Sequence, residues 1–465
     1  MSAHSYPRRH RRAAVATLAG AVALTPVLAA CGSGSSANTG SGNPAQTLEI
    51  GMWTNPPAIS AVQHIDAEFK KLHPNITIKL QDAPTANNAW NTLSNTLLSG
   101  KTVDVLANYG PTPSVNEPPK STGIKPSGML ALMEAGDLVN QAHQPYMKYF
   151  SRSEQETVDG YKGAIDGLQS AEYSYGGNLW YKTAIMRKYH LAIPTTFSQL
   201  LSECATLKKH GVTPFFVAGN SGFESFILDG ILGQLVMQGK PSSASPSIEL
   251  TYEKDFLSGK LNYNSPIFKK AVDEYEQLMK GNIEPDASGV VQLNAPGEWA
   301  AQSNNYAFLV DGTWDGPVLK QANPKLKFGD FTLPGTNDPA QNREMIAPDL
   351  TWTIPKSAPN IKMAEEWISF FAKPSNYAYW VKSTGSLSLE PGIKTNDPWM
   401  GWDNAHLSKA MELFGFDGWL PSGASAAASG PQSSTNLVLL PPFGKKSVSQ
   451  VLNADAAAYT KAIKH

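Results

Sequence analysis

Aromatic side chains recur next to amides and carboxylates wherever an apolar segment of this chain gives way to a polar one. Trp53 and Asn55 follow the segment 47–53, Asn88 and Trp90 open a helical stretch, and Asn108 and Tyr109 follow 103–107. Glu172, Tyr173 and Tyr175 come next, then Phe223 and Glu224, then Trp314 and Asp315, and finally Asp349 before 350–355. Aromatic rings cover flat apolar surface at little cost in side-chain entropy. Amides and carboxylates discriminate among hydroxyls, because a buried polar group left unpaired costs about 1–3 kcal/mol. This is the chemistry of binding. Bond-breaking has thinner support. The nine histidines (4, 10, 64, 73, 143, 190, 210, 406 and 465) never fall at HxxxH spacing, and neither GxSxG nor CxxC occurs. A zinc site would show a histidine cluster, so no metal is expected. Gly-x-Gly pairs occur only in the stretch 32–46, with no strand before them or helix after, so no cofactor is expected. A glycosidase needs only two carboxylates at roughly 5–10 Å, and the sequence leaves that pairing open.

The candidate residues must be held by alternating strands and helices. Residues 47–53 alternate like a strand, and Ala58–Leu72 carries Ile59, Val62, Ile65, Phe69 and Leu72 at helical spacing, stopped by His73-Pro74-Asn75. Ile76–Leu80 reads as a strand, Asn88–Leu98 as a helix and Val103–Ala107 as a short buried strand. Later strands are expected at Ser174–Tyr181, Val212–Ala218, Tyr306–Val310, Lys327–Phe331 and Leu350–Pro355. Later helices are expected at Lys182–Tyr189, Thr196–His210 (capped by Thr195 or Thr196), Ile361–Ala372 and Val448–Ile463. The order βαβαβ implies a parallel sheet covered by helices. Open α/β sheets bind ligands where strands end, which is where the candidates lie.

The first 31 residues read as an address. Arg8, Arg9, Arg11 and Arg12 precede an apolar run, Ala13–Leu28, that is shorter than the roughly 20 residues of a membrane-spanning helix. It ends Leu28-Ala29-Ala30-Cys31, which looks like a bacterial lipobox, so residues 1–30 are expected to be cleaved and Cys31 lipidated. Arg8-Arg9 leaves general and twin-arginine export both open. Residues 31–46 then form a Gly/Ser-rich tether, flexible by composition. The expected location is the extracytoplasmic face of the cell membrane, held only by the lipid. The other cysteine, Cys204, is expected to be a buried apolar residue.

Composition narrows the partners. The 465 residues carry 38 Lys plus Arg and 39 Asp plus Glu, and after residue 30 the acids exceed the bases by 39 to 34. A nucleic-acid partner would favour a basic excess, so none is expected. The body offers only Arg152, Arg187 and Arg343, which favours a neutral ligand over a phosphorylated one. Trp299, Trp352 and Trp367 read as core, whereas Trp399, Trp402 and Trp419, with Phe414 and Phe416, form a further aromatic group that could reach a ligand.

Several stretches carry a family likeness. TLEIGMWTNPPAISAVQHIDAEFKKLHPNITIKL resembles the first strand, helix and return strand of the extracellular solute-binding proteins of ABC importers, in the sugar-binding, maltose-binding-protein-like group. LLSGKTVDVLANYG is similar to that family's L-x-x-G-x-x-P-D-V segment, with Val103 at the proline. GNLWYKTAIMRKYHLAIPTTFSQL resembles its LWYNKDLFKKAGL-PPTTWDEL, with Lys182 and Phe197 replacing Asn and Trp. FLVDGTWDGPVLKQ resembles its G-x-W segment. TWTIPKSAPNIKMAEEWISFFAKPSNYAYWVKSTGSL resembles its IPK and following helices, with Leu389-Glu390 where proline is common. The family's G-K-x-Y-G-x-P reads Gly163-Ala164-Ile165-Asp166-Gly167-Leu168-Gln169 here and lacks the proline.

The resemblance implies a two-lobed, periplasmic-binding-protein-like α/β fold of type II with the ligand in the cleft. Lobe 1 would comprise 47–168 and 333–390, and lobe 2 would comprise 169–332 and 391–465. Trp53, Asn55, Asn108, Glu172, Trp314 and Asp315 match the family's cleft positions best. The implied role is capture of a neutral mono- or oligosaccharide by a monomer that docks on the transmembrane subunits of an ABC permease and catalyses nothing. A glycerophosphodiester, a polyamine, a peptide or an iron chelate held by Tyr173 and Tyr175 are the alternative ligands. A surface glycosidase or an adhesin is the alternative from another class.

Overall fold

The computed structural model describes residues 46–85, 88–109, 128–150, 160–161, 163–240, 244–283, 287–302, 305–390, 392–393, 397–401, 406, 410–412, 437 and 439–462. The expected signal, Cys31 and the tether through residue 45 lie outside these residues, as do Trp402, Phe414, Phe416 and Trp419, whereas Gln46, the expected end of the tether, already belongs to the first strand.

In chain order, the strands that build the molecule are β1 (Gln46–Trp53), β2 (Ile76–Ala83), β3 (Val105–Tyr109), β4 (Leu168–Gln169), β5 (Glu172–Ser174) and β6 (Asn178–Lys182). They continue with β7 (Thr213–Val217), β8 (Tyr306–Val310), β9 (Phe328–Thr332), β10 (Met345–Pro348), β11 (Leu350–Thr353) and β12 (Met411–Glu412). Two main sheets result. The first runs β2-β1-β3-β11-β4 and the second runs β9-β6-β8-β7. A smaller sheet, β12-β10-β5, is built from the segments that pass between them. The chain leaves the first sheet after β4, enters the second at β6, and returns from β9 through β10 to β11.

β1 pairs in parallel with both β2 and β3, so it is an inner strand and is buried almost throughout, from Leu48 to Trp53. Its alternating sequence therefore does not mark a solvent face. Glu49, the polar member, is accommodated by hydrogen bonds: its amide donates to Asp104 Oδ2 (2.8 Å), and its carboxylate accepts from Gln81 (3.1 Å). The helix Pro56–Leu72 starts where Asn55 caps it and two prolines occupy its first turn, where their missing N–H groups cost nothing. It buries Ala58, Ala61, Val62, Ile65 and Phe69. The helix Phe197–Lys209 opens with a capping box: Thr196 accepts from the Gln199 amide, and the Gln199 side chain reaches back.

The expected strand Ser174–Tyr181 is instead two strands. Gly176 and Gly177 separate β5 from β6, and Gly177 has φ +81°, a left-handed conformation that favours glycine. At this break the chain changes sheets. The helices Ser225–Met237, Pro266–Met279 and Pro374–Thr384 were not anticipated from periodicity. In the first of these, 11 of the 13 residues are buried, which erases any one-sided apolar stripe.

Each main sheet has its own core. Trp352, Trp367, Phe371 and Trp380 are fully buried under the first sheet, and Trp180, Leu309 and Trp299 pack on one face of the second. The other face of the second sheet gathers Leu179, Phe215, Phe308 and the C-terminal helix Val448–Ala462 through Val451, Leu452 and Tyr459. Trp299, Trp352 and Trp367 are thus core residues, and Cys204 is buried with its thiol pushed up to about 12 by burial.

Several carboxyls are buried in these cores. Asp66, which accepts a hydrogen bond from the Trp367 indole (2.7 Å), is pushed up to about 7 by burial. Burial likewise pushes Glu203, Glu224 and Asp455 up to about 7. Groups that bind protons more tightly when folded make stability fall as pH rises from their unfolded value towards 7. The melting temperature should therefore be higher at about pH 5.5 than at about pH 8, by several degrees. A flat or rising profile between those values would contradict these assignments.

Candidate functional site

The returning segment β10 and the ends of β1, β3 and β8 converge on one cavity of about 340 Å³. It is lined by Trp53, Thr54, Asn55, Thr85, Tyr109, Tyr175, Phe223, Phe226, Gln292, Trp314, Ala347, Pro348 and Asp349. Seven of the fourteen residues singled out in the sequence meet here: Trp53, Asn55, Tyr109, Tyr175, Phe223, Trp314 and Asp349.

One wall comes from the first sheet. Trp53 ends β1, and Tyr109 ends β3 and stacks on it with ring centroids 4.3 Å apart and planes 15° apart. Trp90, buried, supports Trp53 edge-on from behind at 6.1 Å. Tyr109 is 47% exposed, unusual for a ring so placed, and its free face is open to the cavity side. Asn55 follows Trp53, and its side-chain oxygen accepts from the Ala58 amide at 3.1 Å, which fixes the carboxamide at the rim.

The facing wall belongs to the second sheet and the crossing beside it. Trp314 lies 6.4 Å from Tyr175 in a stacked arrangement (28°) and edge-on to Phe223 (6.3 Å) and Phe226 (6.1 Å). Phe223 and Phe226 are themselves 4.5 Å apart. The turn that carries Trp314 is held by buried hydrogen bonds. The Trp180 indole donates to the Gly312 carbonyl (3.0 Å), and Asn178 donates to the Asp311 carbonyl (2.7 Å). The Thr313 amide donates to the Ser174 carbonyl (2.9 Å), and the Ser174 amide donates to the Thr313 hydroxyl (3.2 Å). Gly312 has no room for a side chain, because a Cβ there would meet the Trp314 ring at 2.3 Å.

The remaining candidates sit behind these walls. Asn108 donates to the Thr353 hydroxyl (2.8 Å) between β3 and β11. Glu172 is buried in β5, where it accepts from Gln169 (3.2 Å). Tyr173 is buried and meets Trp314 edge-on at 5.5 Å. Glu224 is fully buried at the start of the helix Ser225–Met237, next to the wall residue Phe223. Asp315 opens the helix Asp315–Ala322, 2% exposed. Trp399 lines a separate, more open groove of about 710 Å³ with Pro56, Pro317 and Tyr379, and stacks on Phe328 at 5.6 Å.

Thr54, Thr85, Phe226, Gln292, Ala347 and Pro348 line the cavity without having been singled out. Phe226 had a signal, since it lies one helical turn beyond Phe223. Thr85 and Gln292 had none in the local sequence.

Asp349 supplies the only carboxylate among the described lining residues, and no lysine, arginine or histidine lines the cavity there. Its amide donates to the Ala171 carbonyl at 3.0 Å, which ties it to the crossing. Burial alone pushes its carboxyl up to about 7. Behind Trp314, Asp311 and Asp315 are both buried. Burial pushes Asp311 up to about 7, and burial together with repulsion from Asp311 raises Asp315 well above the usual range. Both carboxyls therefore bind protons more tightly than free ones. Asp315→Asn removes the repulsion, so it should raise the melting temperature by about 1–3 °C at about pH 8 and by less at about pH 5.5. A loss of stability at the higher pH would contradict the mutual repulsion of the pair. Among the described residues, no cluster of three or more His, Cys, Asp or Glu side chains could hold a metal. Nor is any described helix long and apolar enough to cross a membrane.

The geometry can now be set beside known proteins. The multiple sugar-binding protein of Streptococcus mutans is 22% identical over 347 residues, covering 72% of this chain and 73% of that protein. Among solved structures, the solute-binding protein RafE in complex with raffinose aligns with a TM-score of 0.70 at 16% identity, over 90% of this chain and 99% of that one. A sugar transporter from Bacillus licheniformis in complex with stachyose aligns with a TM-score of 0.67 at 16% identity, over 90% and 100%. These likenesses establish the two-lobed solute-binding fold, each main sheet forming the centre of one lobe, with the cleft between them. The family model described as bacterial extracellular solute-binding protein matches residues 55–378, and the chain belongs to that family.

Proposed function

We propose that this protein captures a carbohydrate, a mono- or oligosaccharide, outside the membrane and hands it to the transmembrane subunits of an ABC importer. The observation that carries the reading is the pair of aromatic walls, Trp53 with Tyr109 and Trp314 with Tyr175, on opposite sides of one cavity. Flat sugar faces fit between such rings. Asn55, Thr54, Thr85, Gln292 and Asp349 supply hydroxyl partners at the edges. The relatives named above, which bind sugars by their names, support the same ligand class.

In this reading, lobe 1 takes 47–168 and 333–390, lobe 2 takes 169–332 and 391–465, and the crossings act as the hinge. Ligand binding favours the closed form by its difference in affinity for the two states. The protein releases its ligand unchanged to the permease. Cys31 carries the lipid, residues 32–46 form the leash, and anchoring raises the local concentration at the permease.

A thermal-shift panel of mono- and oligosaccharides tests the ligand class. A sugar at 100 times its dissociation constant adds about 2.7 kcal/mol to stability, a shift of several degrees. Tyr109→Ala should weaken the best sugar by about tenfold and lower the ligand-free melting temperature by only a few degrees, because the ring is half exposed. Sugar affinity unchanged in Tyr109→Ala would remove Tyr109 from the site. No response to any sugar, with a response to a polyamine, a glycerophosphodiester or an iron chelate, would replace the ligand class.

A further inference from the structure

The charge balance of the cavity is lopsided. Six aromatic side chains line it (Trp53, Tyr109, Tyr175, Phe223, Phe226 and Trp314), with one carboxylate and no cationic side chain among the described residues. Each ring presents a face of negative electrostatic potential, which attracts cations by about 0.5–1 kcal/mol where exposed and by about 2 kcal/mol or more where desolvated. Asp349 adds a carboxyl to the same space, one that a nearby cation would favour in its charged form. No described residue donates a hydrogen bond to its carboxylate, and burial is the sole cause of its raised proton affinity. The contrast with Glu49 and Asp104 is direct. Those carboxylates, buried nearby in the first sheet, accept hydrogen bonds from Gln81 and from the Glu49 and Asn360 amides.

A carboxylate partly withdrawn from water with no counter-charge is costly to keep ionised. A neutral sugar would give it hydroxyl hydrogen bonds but leave the charge uncompensated. An ammonium group would give it hydrogen bonds and an opposite charge, and the surrounding ring faces would favour the same cation. Both effects have the same sign, and no positive side chain among the described lining opposes them.

We propose that the carbohydrate taken by this cavity is an amino sugar, its protonated amine seated against Asp349 between the two aromatic walls. The inference rests on the carbohydrate reading above and narrows it. The amine pairs with the carboxylate. The ring faces of the sugar meet Trp53 and Tyr109 on one side and Trp314 on the other. Acetylation of the amine removes the charge and with it the preference.

Calorimetric titration of the full chain at about pH 6.5 tests this. The probes are glucose, glucosamine and N-acetylglucosamine, the corresponding galactose series, chitobiose and its fully deacetylated form, and choline. The expected result is that an amine binds at least about tenfold tighter than both its hydroxyl and its N-acetyl counterparts, the size of one desolvated ion pair. In Asp349→Asn, which keeps the side-chain shape, that ratio should fall below about threefold. The ratio in the unmodified protein is a test independent of how well the variant folds. Neutral or N-acetylated sugars binding as tightly as the amines would overturn the inference and leave the carbohydrate reading standing. A tenfold amine preference that survives Asp349→Asn would overturn the role of Asp349. Binding of choline with no response to any sugar would overturn the carbohydrate reading itself, and silence from every amine would overturn the inference.

Discussion

The position of the Trp314 ring is the constraint on which the rest of the molecule depends. Trp314 sits one residue beyond a turn that three residues of two strands hold from below: Trp180 and Asn178 of β6 and Ser174 of β5. All of these groups are buried, so each hydrogen bond lies where leaving it unmade would cost about 1–3 kcal/mol. β5 and β6 are also the segments by which the chain passes from one sheet to the other. The cavity-lining ring beside the second sheet is therefore fastened directly to the crossing. A change in the angle between lobes moves Trp314 relative to Trp53 and Tyr109, which ride on the first sheet. In the proposed reading, binding and closure are coupled, because a ligand between the walls would touch both bodies at once.

The site combines rigidity on one side with freedom on the other. Trp314 is enclosed by Tyr173, Tyr175, Phe223 and Phe226. Tyr109 is held on one face by Trp53 and is open on the other. A pre-set aromatic surface loses little entropy when a ligand arrives, which favours affinity. The buried Asp311 and Asp315 and the partly buried Asp349 bind protons more tightly in the folded state, which lowers stability at neutral pH. Asp311 and Asp315 lie side by side behind the wall, and Asp349 lines the cavity.

Much of the scaffold was legible because its local signals agree with its tertiary role. Tyr306–Val310 forms β8 with the expected ends, and Thr196, one of the two expected candidates, caps its helix. The strand expected across Ser174–Tyr181 failed because the chain changes sheets there, and a sheet change leaves no periodicity. Gly176-Gly177 was the available clue. The helix Ser225–Met237 was missed because burial on all sides removes the polar face that periodicity needs. Among the residues lining the cavity, the rule that ligands lie at strand ends had pointed to Trp53, Asn55, Tyr109 and Trp314. It could not separate them from Trp90, Asn108 or Asp315, which lie beside the same strand ends but turn into the protein. A side chain's direction at a strand end is set by its neighbours in space. Thr85 and Gln292 reach the cavity from loops whose approach depends on the whole fold.

The most direct test of the account is the structure of the protein bound to the tightest carbohydrate from the screen. The account predicts sugar between Trp53 and Tyr109 on one side and Trp314 on the other, within hydrogen-bonding distance of Asp349 and Asn55. Sugar seated instead in the groove lined by Pro56, Pro317, Tyr379 and Trp399, with the aromatic walls empty, would contradict it.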